Sequence, residues 1–197
     1  MDKPFAQSCV ENREPILAVL RPRLAGCRRL LEIGSGTGQH AVYFAPELPK
    51  VFWQTSDQQE NHAGILAWLS DSGATNIGRP ITLDVLRDPW PSSGFDAVFS
   101  ANTAHIMPWD AVVAMFAGVA AHLKTGSRFC LYGPFNVDNC FTSQSNAHFD
   151  AQLRAEDPEM GIRDTAMIES IAKRHHLPLE NKLTMPANNF ILVFKKS

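Results

Sequence analysis

Short apolar runs alternate along the chain with longer segments in which apolar residues recur every three or four positions. The short runs predict buried strands, and the longer period predicts helices that pack on them. This alternation, from Cys27 to His175, is typical of an α/β sheet with helices on both faces. The predicted strands occupy residues 30–32, 51–57, 80–83, 95–100, 128–132, 179–185 and 190–194. The predicted helices occupy residues 12–24, 40–45, 60–72, 108–124, 146–154 and 164–175.

The connection between the last two predicted strands is short. Only residues 186–189 separate them, whereas a parallel crossover needs about a dozen residues or more. These two strands must therefore be antiparallel. A chain of 197 residues can form one good core. We expect a single domain, with residues 1–26 as an N-terminal helical cap and residues 133–163 as a lid or substrate insertion.

Three glycines at alternate positions, Gly34, Gly36 and Gly38, follow the first predicted strand. Glycines between a strand and a helix let the backbone approach a ligand closely, because a Cβ there would occupy the ligand's space. Glu32 ends the strand, and a carboxylate beside a helix N-terminus disfavours the pyrophosphate of a dinucleotide. The pattern predicts a loop for a cationic or zwitterionic cofactor, with Ser35 as a further contact.

Acidic residues also end the next two strands. Asp57 lies about twenty residues after the glycines, where a ribose-binding carboxylate is expected, and Asp84 ends the third strand. Ligands of open parallel sheets lie across the carboxyl ends of the strands, so these acids can meet one ligand. We expect their neighbours Gln58 and Val85 in the cofactor site as well.

The glycine loop and its preceding acid resemble the first motif of the class I S-adenosylmethionine-dependent methyltransferases. The resemblance implies an α/β, Rossmann-like doubly wound sheet of about seven strands, mostly parallel with an antiparallel C-terminal hairpin strand. It implies S-adenosylmethionine as the cofactor, with its methionine end on the loop and its adenine amino group at Asp84. The expected activity is methyl transfer to a small-molecule acceptor.

Further motifs narrow the resemblance. They are Glu11–Leu17, Ser35–Ala41, Asn102 with His105–Ile106, Leu131–Pro134, Ser145–Ala147, Gly161–Asp164 and Met185–Asn189. Together they resemble the methyltransferase-like protein 26 family, a bacterial and eukaryotic group also classed as a domain of unknown function. The similarity covers nearly the whole chain and implies no established substrate. Glu11 stands where the family usually has arginine, which puts any role of that arginine in doubt. Gly34 stands where it often has alanine, which brings the loop nearer the general methyltransferase pattern.

Methyl transfer is an in-line displacement, so the enzyme chiefly holds the nucleophile about 3 Å from the reacting carbon and excludes water. A base is needed only when the nucleophile must lose a proton, and a histidine with a pKa near neutrality would serve. His105 follows the fourth strand beside Asn102. We predict both as catalytic residues, with Asn102 also contacting the cofactor. A helix cap at His105 and an ordinary turn at Asn102 are the alternatives.

The segment 133–163 is longer than a usual connection in such sheets, and long loops often serve as lids or binding surfaces. We expect substrate contacts around it and on the N-terminal side of the site. An alternative role for the N-terminal asparagine is the N-cap of the first helix. The predicted substrate-binding residues are Asn12, Tyr132, Asn136, Asn146 and Arg163.

Composition limits the remaining function classes. The net charge is −2 and basic residues are scattered, which disfavours a nucleic-acid partner.

No apolar run approaches the length of a membrane span, and the N-terminus lacks the apolar core of a signal peptide, so we expect no membrane partner and a cytoplasmic protein. The sequence leaves the oligomeric state open. It contains no Asn-Pro-Pro-Tyr type segment after the fourth strand, which disfavours DNA amino groups and protein glutamine as acceptors.

The cysteines indicate neither disulfide bonds nor a metal site. The four cysteines lack close pairing, and in the expected compartment they would be reduced and mostly buried. Cys130, Cys140 and His148 match no zinc spacing, so we expect no metal.

Three functions are consistent with these features of the sequence. A methyltransferase acting on a small molecule is favoured, and a cofactor-binding interaction module without methyl transfer is the first alternative. A nicotinamide-dependent oxidoreductase is disfavoured by Glu32 and by the terminal hairpin.

Overall fold

Eight strands form the central sheet of this computed structural model, which describes residues 3–92 and 94–197. The strands are β1 (Arg29–Ile33), β2 (Phe52–Asp57), β3 (Ile77–Thr82), β4 (Phe95–Ala101), β5 (Leu123–Asn136), β6 (Arg163–Asp164), β7 (Leu179–Met185) and β8 (Asn189–Lys195). The helices are α1 (Gln7–Arg23), α2 (Gln39–Glu47), α3 (His62–Ser72), α4 (Trp109–His122), α5 (Gln144–Glu156) and α6 (Thr165–Arg174). Two short 3₁₀ turns cover Gln59–Asn61 and Pro186–Asn188.

The strand order is β3-β2-β1-β4-β5-β8-β7, with β6 paired to β5 outside this path. The first five strands in this order, β3, β2, β1, β4 and β5, run parallel to one another. Strand β8 is antiparallel to both β5 and β7. This confirms the predicted Rossmann-like doubly wound sheet with an antiparallel C-terminal hairpin. The chain leaves β1 toward β3 and returns to β4 on the other side of β1. Such a switch in direction opens a crevice at the carboxyl ends of the strands.

Two apolar layers cover the two faces of the sheet. Successive residues of a strand point to opposite faces, so Leu30 packs in the layer that contains Phe44 of α2, while Leu31 packs with Phe116 of α4. All four of these side chains are fully buried. Burial of one such side chain contributes about 1.5–3 kcal/mol, which explains why β1 has an apolar run and no alternation.

Helix α1 begins earlier than the sequence pattern indicates. It starts at Gln7, so Asn12 lies inside the helix, and the alternative that it is the N-cap is wrong. Pro15 also lies in the interior of α1 and not in its first turn. An interior proline removes a backbone hydrogen bond and costs about 3 kcal/mol. The buried side chains Ile16 and Leu20 hold α1 against the sheet and offset that cost.

Strand β5 is longer than predicted at both ends. The helix predicted over 108–124 ends at His122, because Leu123 has an extended backbone. At its other end, β5 continues past Tyr132 to Asn136 and pairs with β6 through Phe135 and Arg163. The connection from β5 to α6 therefore contains strand, turn and helix α5.

Candidate active site

A cavity of about 520 Å³ lies at the carboxyl ends of β1, β2 and β4. Its wall includes the glycine loop, the ends of β2 and β4, the turn after β3 and the start of α1. Its size is within the usual range for small-molecule and cofactor sites. The predicted residues that line it are Gly34, Ser35, Gly36, Asp57, Gln58, Asp84, Val85 and Asn102. We call it the first cavity.

The glycine loop leaves β1 with three left-handed residues. Gly34, Gly36 and Gly38 have φ angles of 69°, 57° and 87°, which side chains with a Cβ rarely adopt. A Cβ on Gly34 would lie 2.5 Å from Cγ2 of Thr103, so the loop approaches the β4 turn closely. Gly38 faces α3, since a Cβ there would lie 3.1 Å from Cα of Ile65. Gly38 does not line the first cavity and so has a packing role between α2 and α3.

Glu32 lies beneath the loop and does not line the cavity. Its Oε2 accepts hydrogen bonds from Ser35 Oγ at 2.8 Å and Trp53 Nε1 at 3.0 Å. Burial raises the pKa of its carboxyl group to about 7, and the two hydrogen bonds oppose that rise. The direct cofactor contact expected of Glu32 stays a prediction. In the structure Glu32 holds Ser35, which does line the cavity.

Asp57 joins the loop to the end of β2. Its Oδ2 accepts from the Gly36 backbone N–H at 2.6 Å, and its Oδ1 accepts from Gln58 N at 2.8 Å and Asn61 Nδ2 at 2.7 Å. A carboxylate offers about four accepting sites, and three are used, so Oδ2 can accept one further hydrogen bond. Asp57 can therefore hold the loop in shape and still accept a ligand hydroxyl.

Asp84 begins the turn after β3. Its Oδ1 accepts from Leu86 N at 2.9 Å, and its Oδ2 lies 3.8 Å from Nε of the exposed Arg87. Arg87 is the single basic residue among the described residues that line the first cavity, against two acidic ones. This balance favours a ligand with positive charge.

The start of α1 closes the first cavity from above. Ala6, Ser8 and Cys9 line it, and Oε1 of Gln39 accepts from Ala6 N at 2.6 Å. The sequence predicts that the N-terminal segment closes the site from this side through Phe5, Ser8 and Asn12, and Ser8 does line the cavity. It missed Ala6 and Cys9, because α1 was predicted to begin at Asn12. Among the described residues, the other lining residues that it missed are Ile33, Thr37, His40, Asn61, Leu83, Leu86, Arg87, Ala101, Thr103, Ile106, Met107, Pro108 and Ala111. Thr37 and His40 could have been found from their place in the loop motif.

A second cavity, also about 520 Å³, adjoins the first. Ser8 and Asn102 line both. It contains four of the predicted substrate and catalytic residues in addition to Asn102. Its lining residues are Ser8, Glu11, Asn12, Asn102, His105, Tyr132, Pro134, Ser145, Asn146, Phe149, Pro186, Ala187 and Asn189.

Asn102 and His105 lie in the turn that follows β4. Asn102 has φ 58°, a left-handed conformation that asparagine tolerates better than most residues, and it separates the two cavities. His105 is 5% exposed and lies edge-on to Phe149 with ring centroids 5.3 Å apart. Burial, with the nearby charge of Arg163, lowers the pKa of His105 to about 4. Its imidazole is therefore uncharged at neutral pH and is a weaker base than a histidine titrating near neutrality.

A buried pair connects the walls of the two cavities. Nε2 of His40, in the first, lies 2.7 Å from Oδ1 of Asn12, in the second. Burial lowers the pKa of His40 to about 4, so the neutral ring donates to the asparagine oxygen. Asn12 also faces Tyr132, and burial raises the pKa of that phenol.

Arg163 and Asn136 lie outside the linings of both cavities. Arg163 donates to the backbone oxygens of Ala104 at 3.1 Å, Met107 at 2.5 Å and Glu159 at 2.7 Å. Asn136 Nδ2 lies 3.5 Å from Ile162 O. The placement gives Arg163 the role of holding the turn after β4 and does not bring either side chain to the predicted substrate position.

Among the described residues, two cysteines are buried, Cys27 and Cys130, whereas Cys9 is half-buried and Cys140 is exposed. The described part of the chain contains no group of three side chains placed to hold a metal ion. None of its helices combines the length and apolar character needed to cross a membrane.

A model of a protein family described as "Protein of unknown function (DUF938)" matches residues 3–196. The chain belongs to the DUF938 family. Two solved structures with the same fold are methyltransferases. The apo form of the S-adenosylmethionine-dependent methyltransferase SibL is 18% identical, with a TM-score of 0.80 over 95% of this chain and 55% of SibL. Human N-acetylserotonin methyltransferase in complex with SAM is 13% identical, with a TM-score of 0.80 over 94% of this chain and 51% of that one.

A further match is PigF with SAH, at 14% identity and a TM-score of 0.78 over 93% of this chain and 61% of PigF. This DUF938 chain spans little more than half the length of these proteins. At such identities the likeness shows that the chain has the class I methyltransferase fold.

Proposed function

We propose that this DUF938 protein is an S-adenosylmethionine-dependent methyltransferase that acts on a small molecule. The observation that carries the proposal is the pair of adjoining cavities that meet at Asn102. Methyl transfer needs two ligands held side by side, with the reacting atoms in line. The methyltransferase fold of the solved neighbours, two of which are described with SAM or SAH, supports the same assignment.

The first cavity fits the cofactor in chemistry as well as position. S-adenosylmethionine supplies an activated methyl group on a positively charged sulfur. Gly36 has open space where a Cβ would lie, so a ligand can approach the backbone there. Asp57 can accept a hydrogen bond from one ribose hydroxyl, and Asp84 can accept from the adenine amino group. Asn102 and Ser8, at the junction of the cavities, would orient the methyl group toward the second cavity.

The motifs shared with the methyltransferase-like protein 26 family support a finer assignment to that group, which is part of the proposal. The small-molecule acceptor is supported by the size of the second cavity, about 520 Å³, and by the scattered basic residues. Location in the cytoplasm stays a prediction.

Calorimetric titration of the purified protein with S-adenosylmethionine, S-adenosylhomocysteine and NAD tests the proposal. We expect micromolar binding of the first two ligands and none of NAD. Asp57→Asn should weaken both at least ten-fold, because the amide replaces one of the two accepting oxygens. Asp157→Asn is the matched control, since Asp157 lies in the turn after α5 and lines neither cavity.

Equal affinities of the wild type and Asp57→Asn would contradict the placement of the cofactor. Binding of NAD in place of the two sulfur compounds would contradict the function itself and favour the oxidoreductase alternative.

A further inference from the structure

The second cavity lacks positive charge. Among the described residues no lysine or arginine lines it, and Glu11 is its one carboxylate. The one lining histidine, His105, is uncharged at neutral pH because its pKa is lowered to about 4. A ligand carboxylate or phosphate would find no cationic partner here and would lose its hydration without compensation. The lining therefore disfavours acidic ligands.

Several hydrogen-bonding groups that line the second cavity can accept from a ligand. Asn146 uses its Nδ2 to donate to Thr142 Oγ1 at 3.0 Å and Asn188 O at 3.2 Å, which leaves its side-chain oxygen free. Asn189 uses its Nδ2 to donate to Pro186 O at 3.2 Å. The carboxylate of Glu11 is an acceptor as well. Such a lining suits a ligand that brings N–H or O–H donors.

His105 is the buried group that points to a ligand. Only 5% of the residue is exposed, and it lines the cavity. Its backbone oxygen accepts from Gly161 N at 2.9 Å, whereas the side-chain hydrogen bonds among the described residues do not involve the ring. Its ring nitrogens are not among the fully buried atoms that lack a hydrogen-bond partner, so the imidazole can be reached from the cavity. A ligand donor at this point would satisfy the imidazole.

A gap beside His105 lies above Gly133 of β5. A Cβ on Gly133 would lie 3.7 Å from His105 Nδ1 and 3.9 Å from Asn102 Oδ1. Phe135 Cε2 would lie 3.9 Å from the same Cβ, so the three atoms surround a space about the size of one methyl group. Gly133 itself lines neither cavity, whereas Asn102 lines both. Gly133 does not have a left-handed backbone, so the conformation of this strand does not itself require glycine.

We propose that the second cavity binds a non-acidic small molecule and that an amine or hydroxyl group of this molecule occupies the space above Gly133, between Asn102 and His105, as the methyl acceptor. This inference rests on the proposed function and names the substrate class of the same site. Phe149, Tyr132 and Pro186 supply flat apolar surface for the body of the molecule.

The methyl group can be transferred to either an oxygen or a nitrogen acceptor. The lone pair of the acceptor forms a bond to the methyl carbon, and the carbon–sulfur bond breaks with its electron pair left on sulfur, which yields S-adenosylhomocysteine. A hydroxyl oxygen becomes strongly acidic as that bond forms, so even a weakly basic imidazole at His105 accepts its proton. An amine that binds as its ammonium form first loses one proton to water and attacks as the free base, and the proton of the resulting methylated ammonium also passes to water.

The test uses three probes with the same aromatic body: 2-phenylethylamine, 2-phenylethanol and 3-phenylpropionate. Binding to the complex of the full chain with S-adenosylhomocysteine is measured by ligand-observed NMR titration at pH 7.5. We expect saturable binding of the amine and the alcohol, and at least ten-fold weaker binding of the carboxylate. Calorimetry with S-adenosylhomocysteine alone is run in parallel on every variant.

Gly133→Ala is the decisive variant, because its methyl group fills the proposed acceptor space while every functional side chain stays in place. It should weaken the amine and the alcohol at least ten-fold and change the affinity for S-adenosylhomocysteine less than two-fold. Ser127→Ala, on the same strand but outside both cavities, should change neither. Glu11→Gln should weaken the cationic amine about three-fold and leave the alcohol unchanged.

The outcomes separate this inference from the proposed function. Binding of S-adenosylhomocysteine without any probe, equal binding of the carboxylate, or an unaffected Gly133→Ala would overturn the acceptor assignment and leave the cofactor assignment standing. Failure of S-adenosylhomocysteine to bind the wild type would overturn both.

Discussion

Single residues in this site act through their hydrogen bonds more than through their charge. Asp57 accepts three hydrogen bonds from the chain itself, and Glu32 accepts two from groups that shape the loop. Both acids were predicted from their positions at strand ends. The sequence could not show that Asp57 lines the cavity while Glu32 lies beneath it. The position of Glu32 depends on hydrogen bonds from Ser35 in the loop and Trp53 in β2.

Replacement of Glu32 tests whether it supports the loop. Glu32→Gln keeps an oxygen that can accept from Ser35 and Trp53, so the free energy of unfolding should change by less than about 1 kcal/mol. Glu32→Ala leaves two buried donors without an acceptor and should lower that free energy by about 2–4 kcal/mol. Urea unfolding followed by tryptophan fluorescence measures both. A loss of similar size in the two variants would show that the charge matters more than the hydrogen bonds.

Helix α4 shows how an element is fixed by contacts that its own sequence does not reveal. Its Gly118 lies against the indole of Trp90, which stacks on His122 with ring centroids 5.4 Å apart. An interior glycine lowers helix stability by about 1 kcal/mol relative to alanine. Here the missing side chain makes room for Trp90, which comes from the turn before β4.

Gly118→Ala should therefore destabilise the protein although alanine is the better helix former. A Cβ would overlap the Trp90 ring, and overpacking of this kind costs about 1–3 kcal/mol. In a Trp90→Ala background the same substitution should stabilise the protein by up to about 1 kcal/mol. The check is a double-mutant cycle by urea unfolding. The same sign of the Gly118→Ala effect in both backgrounds would rule out this packing explanation.

Elements differ in how far the sequence predicts them. The glycine loop depends on the residues near Gly36, and the terminal hairpin depends on the short connection 186–189. Because these features are local in the sequence, both elements were predicted. The start of α1 was not, because its N-cap residue, Ala6, has no side chain that can cap a helix and is held instead by its contact with Gln39. The role of Arg163 was also missed, since its three partners come from the turn after β4 and the turn after α5.

At the scale of the whole molecule, the switch in strand order places the two cavities together. The parallel strands bring Asp57 and Asn102 to one edge of the sheet, and α1 crosses that edge to contribute Ser8 to both cavities. This arrangement buries groups that would be charged in water. His40 and His105 are held neutral, with pKa values lowered from 6.5 to about 4, and the pKa of Glu32 is raised from 4.5 to about 7.

These shifts predict how stability depends on pH. Between pH 4.5 and 6.5 each buried histidine is neutral in the folded state and protonated in the unfolded state, so its contribution to stability rises with pH. Glu32 acts in the opposite direction, because it keeps its proton in the folded state up to about pH 7 and loses it near 4.5 when unfolded. The unfolded state thus binds two protons more at the histidines and one fewer at Glu32. From these groups, the free energy of unfolding should rise by about 1.4 kcal/mol per pH unit.

Two variants separate the opposing groups. Glu32→Gln removes the opposing proton, so the slope between pH 5 and 6 should become about twice that of the wild type. His105→Gln removes one of the two histidine protons and should bring the slope close to zero. Urea unfolding at several pH values in that range, at constant ionic strength, measures all three slopes. Slopes that stayed equal in the three proteins would mean that carboxylates elsewhere, such as those of the exposed ion pairs, control the acid stability, and that the buried groups of the site do not.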